Sequence, residues 1–242
     1  MKIRSGAIVA AVAFAVLVGL GLWQLDRRDS KHERLQAIEA GLAQAPRALR
    51  DAPTDGDAWT PVIAQGLWHT DGLIQIAPRT LDGKVGIDYA APFILTNGDP
   101  LIVLLGWAPS GAAAPKLNSS RTSLQGILVP APRPSLIMPD NIPPDQWIWL
   151  EPKAVAATSG LDAARTSNIA LRMSDPPSGL TKRSARPNLP DNHLQYAFTW
   201  FSLAVALAGV AFFAGRRQDS PSSRNGTAAS QKSHETTALP RP

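Results

Sequence analysis

The residues best suited to chemistry lie at the ends of two long apolar segments. His193 precedes the second segment, and Tyr196 and Trp200 follow it at i+3 and i+7, which places all three on one face of a helix. Trp200 would lie about 10 Å along that helix from His193. Trp23 and Gln24 stand at the end of the first segment. One neutral imidazole beside flat aromatic side chains and a polar amide is suited to hold a porphyrin, whose iron takes an axial nitrogen ligand.

The same residues also have a simpler interpretation. Trp and Tyr are typical of membrane–water interfaces, and a histidine at that depth can hydrogen-bond a lipid headgroup. A haem would place its propionates at a wet, cationic edge, for which Arg27, Arg28 and Arg186 are candidates. The residues alone therefore leave both a haem site and an ordinary interfacial cluster open.

Other catalytic patterns are missing from the sequence. With no cysteine, disulfides, iron–sulfur clusters, thiolate zinc sites and thiol nucleophiles are excluded, and thiolate-based copper delivery is disfavoured. The four histidines form no H-E-x-x-H motif, and there is no G-x-S-x-G motif or P-loop. Asp55 and Asp57 flank a glycine, which indicates a turn. We therefore expect no enzyme and no catalytic residues.

Two membrane helices are predicted to position the candidate residues. Residues 5–25 and 194–215 contain no charged side chain. Helices of these lengths would run about 31 to 33 Å, enough to cross a bilayer core of ~30 Å. The first segment is longer than the 7–15 apolar residues of a signal peptide, so we expect it to remain as a membrane helix. The lipid bilayer is thus an expected partner.

The charges that flank these helices predict their orientation. Lys2 and Arg4 precede the first helix, and Arg216 and Arg217 follow the second. The positive-inside rule then places the ends, residues 1–4 and the polar tail at 216–242, in the cytoplasm. We expect a bacterial inner membrane with the central domain in the periplasm and a disordered tail.

Small residues recur along both predicted membrane helices. Such stripes allow two helix backbones to approach closely in lipid, which predicts a helical hairpin. The first stripe comprises Ala7, Ala11, Ala15 and Gly19, and the second Ala197, Ala204, Ala208, Ala211 and Gly215.

The central part of the chain predicts a β domain. Residues 26–44 lack proline and extend the first helix, whereas 19 of the 22 prolines lie between Pro46 and Pro190 and exclude long helices there. Short apolar segments predict an antiparallel barrel or sandwich over 45–190, with a hairpin at Asn97-Gly98 and a short helix at 153–159. The expected strands are 62–68, 73–77, 87–95, 101–107, 124–129, 146–150 and 168–173.

The charge of this domain argues against nucleic acid as a partner. Between Asp26 and His193 the sequence has 17 basic and 17 acidic residues, so the net charge of +5 comes from the two ends. Basic and aromatic residues do not interleave as they do on a nucleic-acid surface. Basic ends around a neutral domain fit a membrane protein better.

Several motifs resemble those of the Surfeit locus protein 1 family. The segment LGLWQLDRR at 20–28 is similar to the exit of that family's first membrane helix, and RPNLPDNHLQYAFTWF at 186–201 is the most specific match. The resemblance runs in order over roughly 20–204. Further matching residues between these two segments are Gly66 with Trp68, Pro78-Arg79, Gly86, Pro92, Gly106-Trp107-Ala108-Pro109, Asn141-Ile142-Pro143 and Trp147. Leu105 departs from the pattern, because the family usually has an arginine just before Gly-Trp.

The resemblance implies an assembly factor for haem–copper cytochrome c oxidase that assists haem a placement in the catalytic subunit. The family's histidine and tryptophans at the membrane surface correspond to His193, Trp200 and Trp23. The implied cofactor is haem a, bound transiently with His193 on the haem iron, and the implied partners are the oxidase catalytic subunit and haem a synthase. Two alternatives remain: a membrane-anchored scaffold that binds protein partners without ligating haem, and a membrane-anchored periplasmic enzyme.

Overall fold

The computed structural model describes residues 2–132, 138–187 and 191–218. It contains two compact units, Met1–Arg28 with Asp191–Pro242, and Asp29–Pro190. The predicted disordered tail lies outside the described residues from position 219 onward. Two apolar helices flank a β-sheet domain along the chain, as the sequence predicted.

The two long helices are α1, Lys2–Leu42, and α3, His193–Gln218. Helix α1 is continuous through both the apolar segment 5–25 and the polar extension that follows it. Both helices are long and apolar enough to cross a membrane, over Ile8–Leu42 and His193–Ala214, and few residues of these spans are buried inside the protein.

Within the helical unit, the contact between α1 and α3 differs from the predicted one on the α1 side. Gly21 is buried, and a Cβ placed there would lie 2.6 Å from the ring of Phe201. Ala197 and Ala204 of the predicted α3 stripe are buried, whereas Ala208 and Ala211 are exposed. The members Ala11, Ala15 and Gly19 of the α1 stripe are also exposed, and Ala11 lines one recess with Ala208 and Ala211. Gly21 lies two residues beyond that stripe, on another face of the helix.

The domain between the helices contains one mixed seven-stranded sheet with the order β1-β2-β6-β7-β5-β4-β3. Strand β2 also pairs with β4, so the pairings β2–β6–β7–β5–β4 return to β2. Among the described strands, β1–β2 and β5–β7 are parallel and the other pairings are antiparallel. The strands are β1 Arg47–Leu49, β2 Pro61–Trp68, β3 Ile74–Leu81, β4 Lys84–Leu95, β5 Pro100–Pro109, β6 Arg121–Pro130 and β7 Ile169–Met173.

Two differences from the predicted strands have clear physical causes. The segment predicted as a strand at 146–150 makes only isolated bridges, Trp147 with Ile76 and Gln146 with Ile142, because Asn141 occupies the nearby amides instead. Strand β1 was missed, since three residues are too short to show an alternating pattern. The described pairings are mainly antiparallel, as predicted, and two parallel pairings make the sheet mixed. The choice between barrel and sandwich remains a prediction.

Among its described residues, the domain also contains one short helix and three 3-10 turns. Helix α2, Pro152–Thr158, begins with proline in its first turn and is followed by Gly160 at a φ of +71°. The 3-10 turns are Asp55–Asp57, Thr70–Gly72 and Ala163–Arg165. The first of them is the turn that the sequence predicted, and Asp57 caps it by accepting from the Thr54 amide N–H at 2.7 Å.

The two faces of the sheet carry separate apolar clusters. The larger includes Tyr89, Phe93 and Leu128, and the smaller includes Ile102 and Trp147. Phe93 also meets Trp68 edge to face, with ring centroids 5.1 Å apart. Burial of both faces explains why β4 and β5 contain nearly continuous apolar runs.

The Asn97-Gly98 hairpin between β4 and β5 is confirmed, with Gly98 at a φ of +86°. Behind it, the carboxylate of Asp99 accepts from the Ala52 amide N–H at 3.1 Å and pairs with Arg165 at 2.5 Å. Burial of Asp99 opposes its ionisation, but these donors and the Asn97 side chain outweigh burial and hold the pKa of the carboxyl below its ordinary value.

We expect Gly66→Ala to destabilise the domain by at least about 2 kcal/mol. A Cβ at Gly66 would lie 2.0 Å from the carbonyl oxygen of Ile94, a backbone atom that cannot move aside without breaking the β2–β4 pairing. Chemical unfolding of the full chain in detergent, followed by tryptophan fluorescence, measures the change. Gly56→Ala is the control, because its Cβ would meet only Thr54 Oγ1 at 3.8 Å. Equal stability of the two variants would contradict the close approach.

We expect Asp99→Asn to lower stability at pH 7 by about 1–3 kcal/mol, since it removes a charged acceptor from a buried cluster. Because the folded-state pKa is lowered, the contribution of the carboxylate is complete above its unfolded value near ~3.9 and is lost as pH falls below it. The Tm difference between parent and variant should therefore fall from nearly its full value at about pH 5 to a small remainder at about pH 2. A difference that is constant across this range contradicts the prediction.

Candidate functional site

His193 is the first residue of α3, and its position is fixed by the residues that precede it. The amide N–H of His193 donates to Asp191 Oδ1 at 3.2 Å, and the amide of Tyr196 donates to the carbonyl of Asn192 at 3.1 Å. The Asp191 side chain therefore caps the helix, as short acceptors do at helix N-termini. The imidazole is half-buried at the start of the apolar helix.

The second contact of His193 joins its ring to a side chain of α1. Nδ1 of His193 lies 2.9 Å from Oε1 of Gln24 on α1. An amide oxygen only accepts hydrogen bonds, so Nδ1 carries the proton in this contact. In the neutral imidazole, Nε2 then has a free lone pair. The structure thus brings together two of the five residues predicted for the site.

The three aromatic residues of the predicted site are more open. Trp23 is 49% exposed and the Arg27 guanidinium lies 5.6 Å from its ring centroid, a cation–π contact. Tyr196 is 55% exposed, whereas Trp200 is half-buried. Within the described part of the chain, no ring–ring contact joins Trp23, Tyr196 and Trp200. The aromatic side chains are available to pack on a ligand rather than on one another.

The cationic residues considered for propionates have different surroundings. Arg27 covers Trp23 within the helical unit, and Arg28 is half-buried on α1. Arg186 belongs to the other unit, where it pairs with Glu39. Arg27 is therefore the one of the three that the structure places beside a predicted site residue.

The donor set fits an axial haem ligand better than a multidentate metal site. Among the described residues, no group of three or more His, Asp or Glu side chains could hold a metal ion. A single imidazole with Nδ1 donating to a neighbour and Nε2 free is the arrangement that orients a histidine ligand toward a metal. His193 with Gln24 therefore suits a macrocycle that supplies the remaining metal ligands itself.

The motif residues of the β domain have structural roles. A Cβ on Gly86 would lie 2.1 Å from the carbonyl oxygen of Ala108, and the Trp107 indole donates to the Arg79 carbonyl at 3.1 Å. Asn141 Oδ1 accepts from the amides of Ile148 and Trp149 at 2.7 and 3.2 Å. These residues fix strand crossings and the loop after β6.

Leu105, which replaces the arginine expected from the resemblance, is fully buried. It belongs to the larger apolar cluster of the sheet. A charged side chain at this position would need a partner inside that cluster. The role that such an arginine has elsewhere is therefore not available to residue 105 in this chain.

Sequence reasoning missed a charged cluster in the domain. Arg183 Nη1 donates to both carboxylate oxygens of Asp88, at 2.9 and 3.0 Å, although the two residues are 95 positions apart. Arg79 Nε lies 3.6 Å from Asp88 Oδ2, and Arg172 donates to the Ser184 carbonyl. Of these residues, only Arg79 was marked in the sequence, as part of the Pro78-Arg79 motif of the family resemblance. No local sequence pattern links the other charged residues.

By its architecture the protein belongs to a class in which two long apolar helices, the second beginning with a histidine, flank a mixed β-sheet domain along the chain. Comparison with known proteins gives the family: the sequence matches the SURF1 family over residues 11–205, and the chain belongs to that family.

Individual relatives match over most of the chain. It is 26% identical to a SURF1-like protein of Monosiga brevicollis, over 88% of this chain and 90% of the relative. It is 25% identical to a SURF1-like protein of Rickettsia conorii, over 85% and 89%. It is also 25% identical to Surfeit locus protein 1 of Mus musculus, over 85% and 72%. The family resemblance inferred from the motifs is confirmed.

We expect Gln24→Ala to change the tautomer balance of His193. The variant removes the acceptor of Nδ1–H, so the population with the proton on Nε2 should rise. The imidazole ¹⁵N chemical shifts of the full chain in detergent measure both populations. Gln195→Ala, at an exposed position two residues from His193, is the matched control and should leave the shifts unchanged. Identical shifts in the parent and Gln24→Ala would contradict the hydrogen bond.

Proposed function

We propose that this protein is an assembly factor for haem–copper cytochrome c oxidase and that it assists haem a placement in the catalytic subunit. Membership of the SURF1 family supports the role in oxidase assembly. The observation that carries the haem-related part is the His193–Gln24 hydrogen bond, which leaves Nε2 of His193 as a free nitrogen ligand.

The proposed location is a bacterial inner membrane, with the β domain in the periplasm and both termini in the cytoplasm. Two helices of sufficient length and apolar character support this location, as do relatives in Rickettsia. In this arrangement His193 and Gln24 lie near one membrane surface. The proposed partners are the lipid bilayer, the oxidase catalytic subunit and haem a synthase.

Each residue of the site would have a distinct role in holding haem a. Haem a would supply an iron that accepts a nitrogen ligand. His193 Nε2 would bind that iron, and Gln24 would hold the imidazole through Nδ1. Trp23, Tyr196 and Trp200 would pack against the macrocycle, and Arg27 would pair with an acidic substituent at its edge.

A second candidate function is a scaffold that binds protein partners without ligating haem. The exposure of Trp23 and Tyr196 favours it, because exposed aromatic side chains are typical anchors of protein interfaces. The two functions differ in a single measurable property, the stoichiometric uptake of haem by the purified protein.

We expect His193→Ala to remove most haem from protein co-expressed with haem a biosynthesis, because it deletes the only proposed nitrogen ligand. Gln24→Ala should weaken haem retention roughly 10- to 100-fold, the usual effect of losing a residue that orients a metal ligand. Trp200→Leu should lose less haem than His193→Ala, since it removes a packing surface and not a bond to the iron. Tyr196→Phe should have the smallest effect, because the ring is retained. The ratio of haem absorbance to protein measures this order.

The matched control is His69→Ala, which removes a half-buried histidine from the β domain and should retain haem. Membrane insertion of every variant is checked by its presence in the washed membrane fraction. Unchanged haem content in His193→Ala would refute the ligand assignment and favour the scaffold. A larger loss in Trp200→Leu than in His193→Ala would indicate packing rather than ligation.

A further inference from the structure

Two arginines of the β domain pair with one carboxylate, and a third arginine lines the same recess as that carboxylate. Arg79 lies on β3, Asp88 on β4 and Arg172 on β7, and Arg183 follows β7. The sheet order β7-β5-β4-β3 brings these strands to one region of the sheet. Asp88 accepts two hydrogen bonds from Arg183 and is 3.6 Å from Arg79 Nε.

The cluster has more positive than negative charge. Two guanidinium groups, those of Arg79 and Arg183, pair with the carboxylate of Asp88, and within the described part of the chain no carboxylate lies within 4.0 Å of Arg172. The side chains of Arg79, Arg183 and Asp88 are 27%, 25% and 14% exposed. Burial lowers the pKa of Arg172, which Asp88 opposes and Arg183 reinforces, and the pKa of Arg79 is lowered for the same reasons. Added negative charge would therefore be favourable here.

The shape of the cluster limits what could bind. Asp88, Arg172 and Arg183 line a recess of about 10 Å³, whose apolar wall includes Leu104 and Leu105. A recess of that size has room for roughly one water molecule. It can admit an oxygen atom of a carboxylate or phosphate, while the rest of a ligand stays at the surface.

The segment that carries Arg183 is fixed in place. Thr181 and Trp107 exchange two backbone hydrogen bonds, at 2.9 and 2.6 Å, which extend the pairing of β5. Gly106 permits this contact, because it adopts a φ of +148° and a Cβ there would lie 3.0 Å from the Thr181 carbonyl oxygen. Arg183 Nη2 also donates to the Thr80 carbonyl at 3.1 Å. The guanidinium groups are thus positioned before any ligand arrives.

We propose that Arg172 and Arg183 form a binding site for an oxyanion, a carboxylate or phosphate group carried by a small ligand. The planar fork of arginine matches both groups and binds them through paired hydrogen bonds. Asp88 holds Arg183 in place and at the same time competes with the ligand for its positive charge. This inference does not depend on haem binding and concerns residues of the β domain alone.

The test titrates the detergent-purified full chain with inorganic phosphate and, separately, with malonate, at constant ionic strength. Because phosphate stabilises many proteins without binding, the measured quantity is the midpoint of a saturable rise in Tm. The parent should show such a rise with at least one of the two anions, and the responsive anion identifies the chemical class. Arg172→Gln should raise the anion concentration at the midpoint about tenfold or more, since it removes a charge-assisted donor. Arg121→Gln, at an exposed arginine of β6, is the matched control and should leave it unchanged.

Asp88→Asn separates a binding site from a purely structural cluster, because it acts in the opposite direction. If the site binds oxyanions, removal of the competing carboxylate should lower the anion concentration at the midpoint by about fivefold or more. This arm remains decisive if Arg172→Gln fails to fold. A response that does not saturate in the parent, equal midpoints in Arg172→Gln and Arg121→Gln, or unchanged or weaker binding in Asp88→Asn would each overturn the proposal.

Discussion

The arrangement of the β domain depends on the close approach of Gly66 to the carbonyl of Ile94. Strand β2 pairs with β6 from Pro61 to Leu67 and with β4 over its last three residues, so two partners meet the same strand at Gly66. Any side chain at this position would separate β2 from β4. Strand β4 in turn carries Asp88 and pairs with β5, whose residue Trp107 holds the segment that presents Arg183. The missing Cβ at Gly66 thus allows β2 to pair with β4, the strand that carries Asp88 of the charged cluster.

The net charge of the domain conceals how its charges are distributed. Its acidic and basic residues balance in number, which gives weak long-range attraction for either sign of charge. At short range the balance is uneven: Asp57 pairs with Arg47 and Asp99 with Arg165, whereas Asp88 is shared by two arginines. Because screening leaves partly buried charges largely intact, such a local excess can act on a ligand at contact distance.

The parts of the structure that could be predicted from the sequence are those with local signals. The apolar segments, the Asn97-Gly98 hairpin and the short helix before Gly160 each follow from composition or turn chemistry over a few residues. The parallel pairings of β1 and β7 could not be predicted, because strand order depends on contacts between distant segments. The buried contact at Gly21 could not be predicted for a related reason: alanine spacing shows where two helices can approach closely, but it does not show that the ring of Phe201 lies against Gly21.

The same limit applies to the candidate site. The sequence showed which side chains could take part in it, but it did not fully show how they pair. His193 and Gln24 were singled out from their positions at the ends of the apolar segments, but the hydrogen bond between them fixes which nitrogen remains free. Gln24 is a neutral acceptor, and it raises the basicity of the imidazole less than a carboxylate would. Under the proposed function, an imidazole nitrogen of moderate basicity would bind the haem iron less tightly than one backed by a carboxylate. A protein that must pass on its ligand needs a lower affinity for that ligand than the receiving protein has. The amide of Gln24 is chemically consistent with that requirement.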